Sequence, residues 1–75
     1  MMEKLLEILE SVRPDVDFND EKTLMSDGVL DSFDVVTIIS ELNDTYDIHI
    51  TVDDLKPENF DSAENMMEMI KRLQG

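Results

Sequence analysis

Ser32 stands between Asp31 and Phe33, four residues after Gly28, where a turn gives way to the most regular apolar periodicity in the chain. A hydroxyl at the start of a helix meets free backbone N–H groups and the positive end of the helix dipole, which suit a phosphate, whether delivered transiently or attached through the hydroxyl. A phosphodiester fits at Ser32. A serine at such a place also serves as a plain N-cap, so the residue type alone does not decide its use.

Other reactive groups are scarce. One histidine, His49, and one tyrosine would have to supply any general base, and there is no cysteine for a thiolate, a disulfide or a Cys-ligated zinc site. His49 reads as a half-exposed loop residue with no second histidine to assist it. Asp15, Asp17 and Asn19 fall at the first, third and fifth places of a calcium loop, but Asp20 stands where the sharp turn needs glycine and Ser26 where a bidentate glutamate should close the shell. No metal site is expected, and the chain is not expected to be an enzyme.

The 75 residues carry 19 acidic and 6 basic side chains, a formal charge of −13. That balance argues against nucleic acid, whose phosphates require Lys and Arg, and favours a basic protein partner. No apolar run exceeds two residues, so no membrane-spanning helix is expected. The start Met1-Met2-Glu3-Lys4 lacks the basic and apolar regions of a signal peptide, and the chain reads as cytoplasmic.

The elements that must position Ser32 follow from periodicity. Leu5, Ile8, Leu9 and Val12, extended backwards by Met1 or Met2, form the stripe of a first helix that stops before Pro14. A long connection spans roughly residues 14–30. Val35, Ile38, Ile39, Leu42 and Tyr46 then lie within about 100° of arc, the clearest helix, with Asp31 or Ser32 as its N-cap and Asp34 in its first turn. The alternation through residues 46–52 has no partner strand and reads as an extended loop tucking Ile48 and Ile50 into the core. Thr51 with Asp54 resembles a capping box for a short helical turn ending before Pro57. Phe60 reads as a staple before a second box, Asp61 with Glu64, that opens a last helix on Ala63, Met66, Ile70 and Leu73, with Lys71 and Arg72 near its C-terminus. Met66, Met67 and Met69 read as adaptable core filler and surface. The expected fold is an all-α bundle of three main helices and one short one in a single domain, residues 1–75.

With Gly28 ahead of Leu30-Asp31-Ser32-Phe33, and with this helix order, size and acidity, the chain resembles the acyl carrier protein family over essentially its whole length. The resemblance takes in the stand-alone aminoacyl and peptidyl carriers of the D-alanyl type. It implies that Ser32 receives 4′-phosphopantetheine from coenzyme A, that Asp31 helps present the site to a phosphopantetheinyl transferase, and that the arm's thiol carries an acyl or aminoacyl group as a thioester. The cofactor would supply the reactive sulfur that the cysteine-free protein lacks. A loading ligase and a downstream synthase or transferase with basic docking patches are the implied partners, met by a monomeric carrier. Fatty-acid, polyketide and nonribosomal-peptide pathways stay open, although Pro57-Glu58-Asn59-Phe60-Asp61-Ser62 is closer to the amino-acid carriers.

The family usually has Leu where this chain has Phe33. The helical reading sets Phe33 about 160° from the centre of the apolar stripe, exposed beside the attachment point as a partner contact, unless the first turn bends inward and Phe33 fills the mouth of the bundle. Asp34, Glu41 and Asp44 form a negative strip opposite the stripe, suited to docking on basic patches. The alternative from another class is an unmodified acidic interaction module that uses the same strip.

Overall fold

A computed structural model describes residues 2–75 as four helices joined by ordered turns. Helix α1 runs Met2–Val12, α2 Ser32–Tyr46, α3 Pro57–Phe60 and α4 Ala63–Gln74, with a 3₁₀ turn at Val52–Asp54 before α3. Among the described residues there is no strand. The expected all-α bundle of three main helices and a short one is what the chain forms. Met1, assigned to the first stripe by periodicity, lies outside the described residues.

The three long helices bury the stripes that their spacing dictates. Leu5, Ile8 and Leu9 of α1 meet Val35, Ile38 and Leu42 of α2 and the Met66, Met69 and Ile70 face of α4 in one core. Helix α1 packs on both α2 and α4, and α3 packs on α4. Met66, Met67 and Met69 are all buried, a broader face than a narrow stripe would give, because α4 is covered from two sides.

The connection between α1 and α2 carries its own core residues. Phe18, Leu24 and Leu30 are buried, and Val16 and Val29 pack against them. Of the residue 46–52 segment only 48–51 lie outside helix and turn, with Ile50 buried and Ile48 half-buried as expected, whereas Tyr46 still belongs to α2 and Val52 already opens the 3₁₀ turn. The segment needs no partner strand because the Ile50 amide donates to the Asn43 side-chain carbonyl at 2.9 Å. Asp47 ends α2 in the left-handed region at φ 53°, its amide donating to Asn43 O.

Residues 57–60 form a helical turn with Pro57 in its first position, where its missing N–H costs nothing. One local expectation is corrected beside it. Helix α4 is capped by Ser62, whose hydroxyl accepts from the Asn65 amide at 3.1 Å, not by Asp61 with Glu64. The Asp61 carboxylate is engaged by the long connection, and Glu64 pairs with Lys22 at 2.9 Å. Thr51 and Asp54 do form the expected capping box, on the 3₁₀ turn.

Candidate functional site

The chain enters α2 through a tight turn. Gly28 sits at φ +74°, a conformation that side chains resist, and its amide closes onto Met25 O at 3.2 Å. Leu30 is buried and its amide reaches back to Leu24 O at 2.9 Å, so the connection is pinned two residues before Ser32.

Asp31, in extended conformation, is the N-cap of α2. Its carboxylate accepts from the Asp34 amide at 2.8 Å, and the Asp34 carboxylate accepts from the Asp31 amide at 3.3 Å. This is a capping box built from two aspartates. Of the two candidate caps in the sequence, Asp31 takes the role, and Ser32 becomes the first helical residue. The Ser32 hydroxyl is therefore not spent on capping, and the residue is exposed. The amides of Ser32 and Phe33 belong to the first turn, where a helix offers no acceptor of its own.

Asp34 does not join the outer strip that the sequence suggests. It is only 9% exposed, and its carboxylate faces the end of α1, where Arg13 Nη1 donates to it at 2.7 Å. The reason is angular: position 34 lies about 100° from the centre of the stripe, on the flank, close enough to the neighbouring helix to be drawn in by a cation. The same Nη1 donates to Val29 O at 2.9 Å, and Nε and Nη2 fork onto Asp15 at 3.0 and 2.9 Å. Hydrogen bonds to Asp15 and Asp34 raise the Arg13 pKa above its ordinary value, and the Asp15 carboxyl is held below its own chiefly by Arg13. Nothing in the sequence alone announces Arg13, because its partners sit up to 21 residues away.

Glu41 and Asp44 are exposed on α2 as expected. Phe33 is 79% exposed, which decides between its two placements: the first turn does not bend inward. Val36, on the other flank of the stripe, is 65% exposed, and Val52 and Leu55 add exposed apolar side chains near α3. Position 36 could have been found in the sequence, since one member of the Val35-Val36 pair must leave the stripe. His49 is exposed. Among the described residues no His, Asp or Glu side chains converge into a group able to hold a metal, and no helix is long and apolar enough to cross a membrane.

An exposed hydroxyl on the positive end of a well-capped helix can be reached by a partner enzyme and esterified with phosphate. Its chemistry suits a phosphodiester-linked cofactor.

Comparison with known proteins agrees. Residues 3–73 match the family described as "Phosphopantetheine attachment site". D-alanyl carrier proteins from two strains of Lactobacillus delbrueckii subsp. bulgaricus are each 25% identical over 75 residues, spanning 99% of this chain and 94% of theirs. A family match that leaves out only two residues at each end takes in all four helices but for Met2 and Gln74, and the chain therefore belongs to the phosphopantetheine attachment site family, carrier proteins with covalently attached 4′-phosphopantetheine.

Proposed function

We propose that Ser32 bears the 4′-phosphopantetheine arm and that the chain carries an aminoacyl or acyl group on it as a thioester. The observation that carries this reading is the exposed Ser32 in the first position of α2, its hydroxyl left free by the Asp31 cap. In the modification, Ser32 Oγ forms a bond to the phosphorus next to the pantetheine of coenzyme A. The pyrophosphate linkage breaks, adenosine 3′,5′-bisphosphate leaves, and the hydroxyl proton passes to the phosphopantetheinyl transferase. Once attached, the arm supplies a thiol, which a chain without cysteine cannot.

The chain's own part is presentation. Asp31 fixes the helix start and, as an exposed carboxylate beside Ser32, is a contact for the transferase. Phe33, Glu41 and Asp44 project from α2 and form the docking surface, an exposed aromatic with acidic neighbours that suits basic patches on a loading ligase and a downstream transferase. Asp34 is left out of that surface, since Arg13 covers it. Between the two cargo classes, the names of the D-alanyl carrier relatives favour an aminoacyl group. The carrier acts as a monomeric single domain over residues 1–75, in the cytoplasm.

The test is direct. The chain is incubated with coenzyme A and a phosphopantetheinyl transferase and its intact mass measured. The expected result is a gain of one phosphopantetheine group by the wild type and none by Ser32→Ala. An unmodified wild type would favour the plain acidic interaction module instead.

A further inference from the structure

We propose that Arg13 is a positioning residue for the modification of Ser32: from the end of α1, its guanidinium holds the Val29 carbonyl before that serine and the Asp34 carboxylate after it. The inference rests on the reading of Ser32 as the attachment point. Arg13 prolongs α1, its amide donating to Leu9 O at 2.9 Å. One nitrogen, Nη1, then bridges Val29 O at 2.9 Å and Asp34 Oδ2 at 2.7 Å. Val29 lies three residues before Ser32 and Asp34 two after it, so the whole approach to the hydroxyl is tied at both ends to one rigid donor.

The Asp34 oxygen that Arg13 holds is the one that accepts from the Asp31 amide. Arg13 thereby locks the Asp34 side chain in the orientation that completes the capping box around Ser32. Without the guanidinium, a largely buried carboxylate loses its countercharge and Val29 O loses its donor. Asp34 would turn toward water, and the link between its carboxylate and Asp31 would break with it.

This role differs from holding the bundle together. Leu5 and Leu9 of α1 and Ile38 and Leu42 of α2 are fully buried, so the core between these helices is built from residues other than Arg13. What depends on it is the course of residues 29–34, where the Ser32 oxygen must meet a phosphorus held by another protein. A displacement of about 1 Å at a reacting atom can cost on the order of a hundredfold in rate. The second arm of the same guanidinium, the fork onto Asp15, provides a built-in control, because it leads away from the site.

The experiment measures initial rates of phosphopantetheine transfer from coenzyme A at several carrier concentrations, for wild type, Arg13→Gln, Arg13→Lys and Asp15→Asn, each verified as helical by circular dichroism at the assay temperature. Arg13→Gln should lower kcat/KM about tenfold, mainly through kcat, with faster hydrogen exchange at the Asp31 amide. Arg13→Lys should recover part of the rate, since the shorter ammonium reaches one of the two acceptors but does not bridge Val29 O and Asp34 as Nη1 does. Asp15→Asn should stay within about twofold of wild type. If Arg13→Gln is unfolded at the assay temperature, Arg13→Lys against Asp15→Asn decides, with a drop of about threefold expected in the lysine variant alone. Rates for the Arg13 variants within twofold of a wild type modified at Ser32 would overturn the positioning role. A wild type that gains no phosphopantetheine, or a Ser32→Ala chain that does, would instead sink the attachment reading beneath it.

Discussion

Asp61 and Ser26, 35 residues apart, are joined at two points: the Ser26 hydroxyl donates to Asp61 Oδ2 at 2.7 Å and the Ser26 amide to Oδ1 at 2.8 Å. The Met25 amide shares Oδ1 at 3.0 Å, and the Leu24 amide donates to the Asp61 carbonyl at 2.9 Å. One residue at the α3–α4 joint thus clasps the middle of the long connection that leads to Ser32. Its acidity follows. Desolvation works against the charged form, but the Ser26 hydroxyl and the Ser26 and Met25 amides together outweigh it and hold the carboxyl below its ordinary value of 3.8.

A carboxyl with a depressed folded pKa adds stability that is fully present above its unfolded pKa and is lost as pH falls through the folded one. The difference in Tm between wild type and Asp61→Asn should therefore be constant from pH 7 to about 5 and shrink below about 4. Thermal melts across that range check it. A gap that persists unchanged at pH 3 would show that the clasp owes nothing to the charge.

The N-cap of α2 can be tested by two substitutions with different outcomes. Asp31→Ala removes the acceptor for the Asp34 amide and should cost about 1 kcal/mol, or roughly 4–8 °C in Tm for a domain of this size. Asp31→Asn retains an accepting oxygen and should melt within a few degrees of wild type. Equal melting of Asp31→Ala and wild type would mean that the box contributes nothing.

The charge of −13 makes self-repulsion a general destabilising influence, spread over a core that is thin. Added salt shortens the Debye length from about 30 Å at 0.01 M to about 8 Å at 0.15 M and should raise Tm over that range. The same salt should weaken association with a basic partner. A Tm that is flat across the ionic-strength series would contradict the first expectation.

Leu42 is fully buried between the helices, and Leu42→Ala should destabilise by about 2–5 kcal/mol, a large share of the stability open to so short a chain. A fall in Tm of more than about 10 °C is expected. A smaller loss would indicate that the methionines of α4 collapse into the vacated space.

Much of this was legible in the sequence because it is local. Periodicity located the stripes of α1, α2 and α4, Pro14 marked the end of the first helix, and the turn at Gly28 pointed to the start of the second. The illegible parts are those settled by residues distant in sequence. Asp61 matched an N-cap pattern as well as Ser62 did, and only the arrival of Met25 and Ser26 takes its carboxylate away from α4. Asp34 sits on the helix flank at an angle open to either solvent or core, and Arg13, 21 residues earlier, decides the matter. Phe33 was open to two placements because its side depends on the tilt of one turn, which the Asp31–Asp34 box sets. At Pro57, a proline that ends one helical turn and one that begins the next look alike in a sequence.

The central claim is that Ser32 carries the arm, and a site-resolved measurement tests it most directly. After reaction with coenzyme A and a phosphopantetheinyl transferase, the tryptic peptide spanning residues 23–71, uncut at Lys56 because Pro57 follows it, contains Ser26, Ser32, Ser40 and Ser62 together, and fragmentation in the mass spectrometer separates them. The added phosphopantetheine is expected on fragments containing Ser32 and on none that lack it. Modification at Ser26, Ser40 or Ser62, or a peptide of unaltered mass, would contradict the claim.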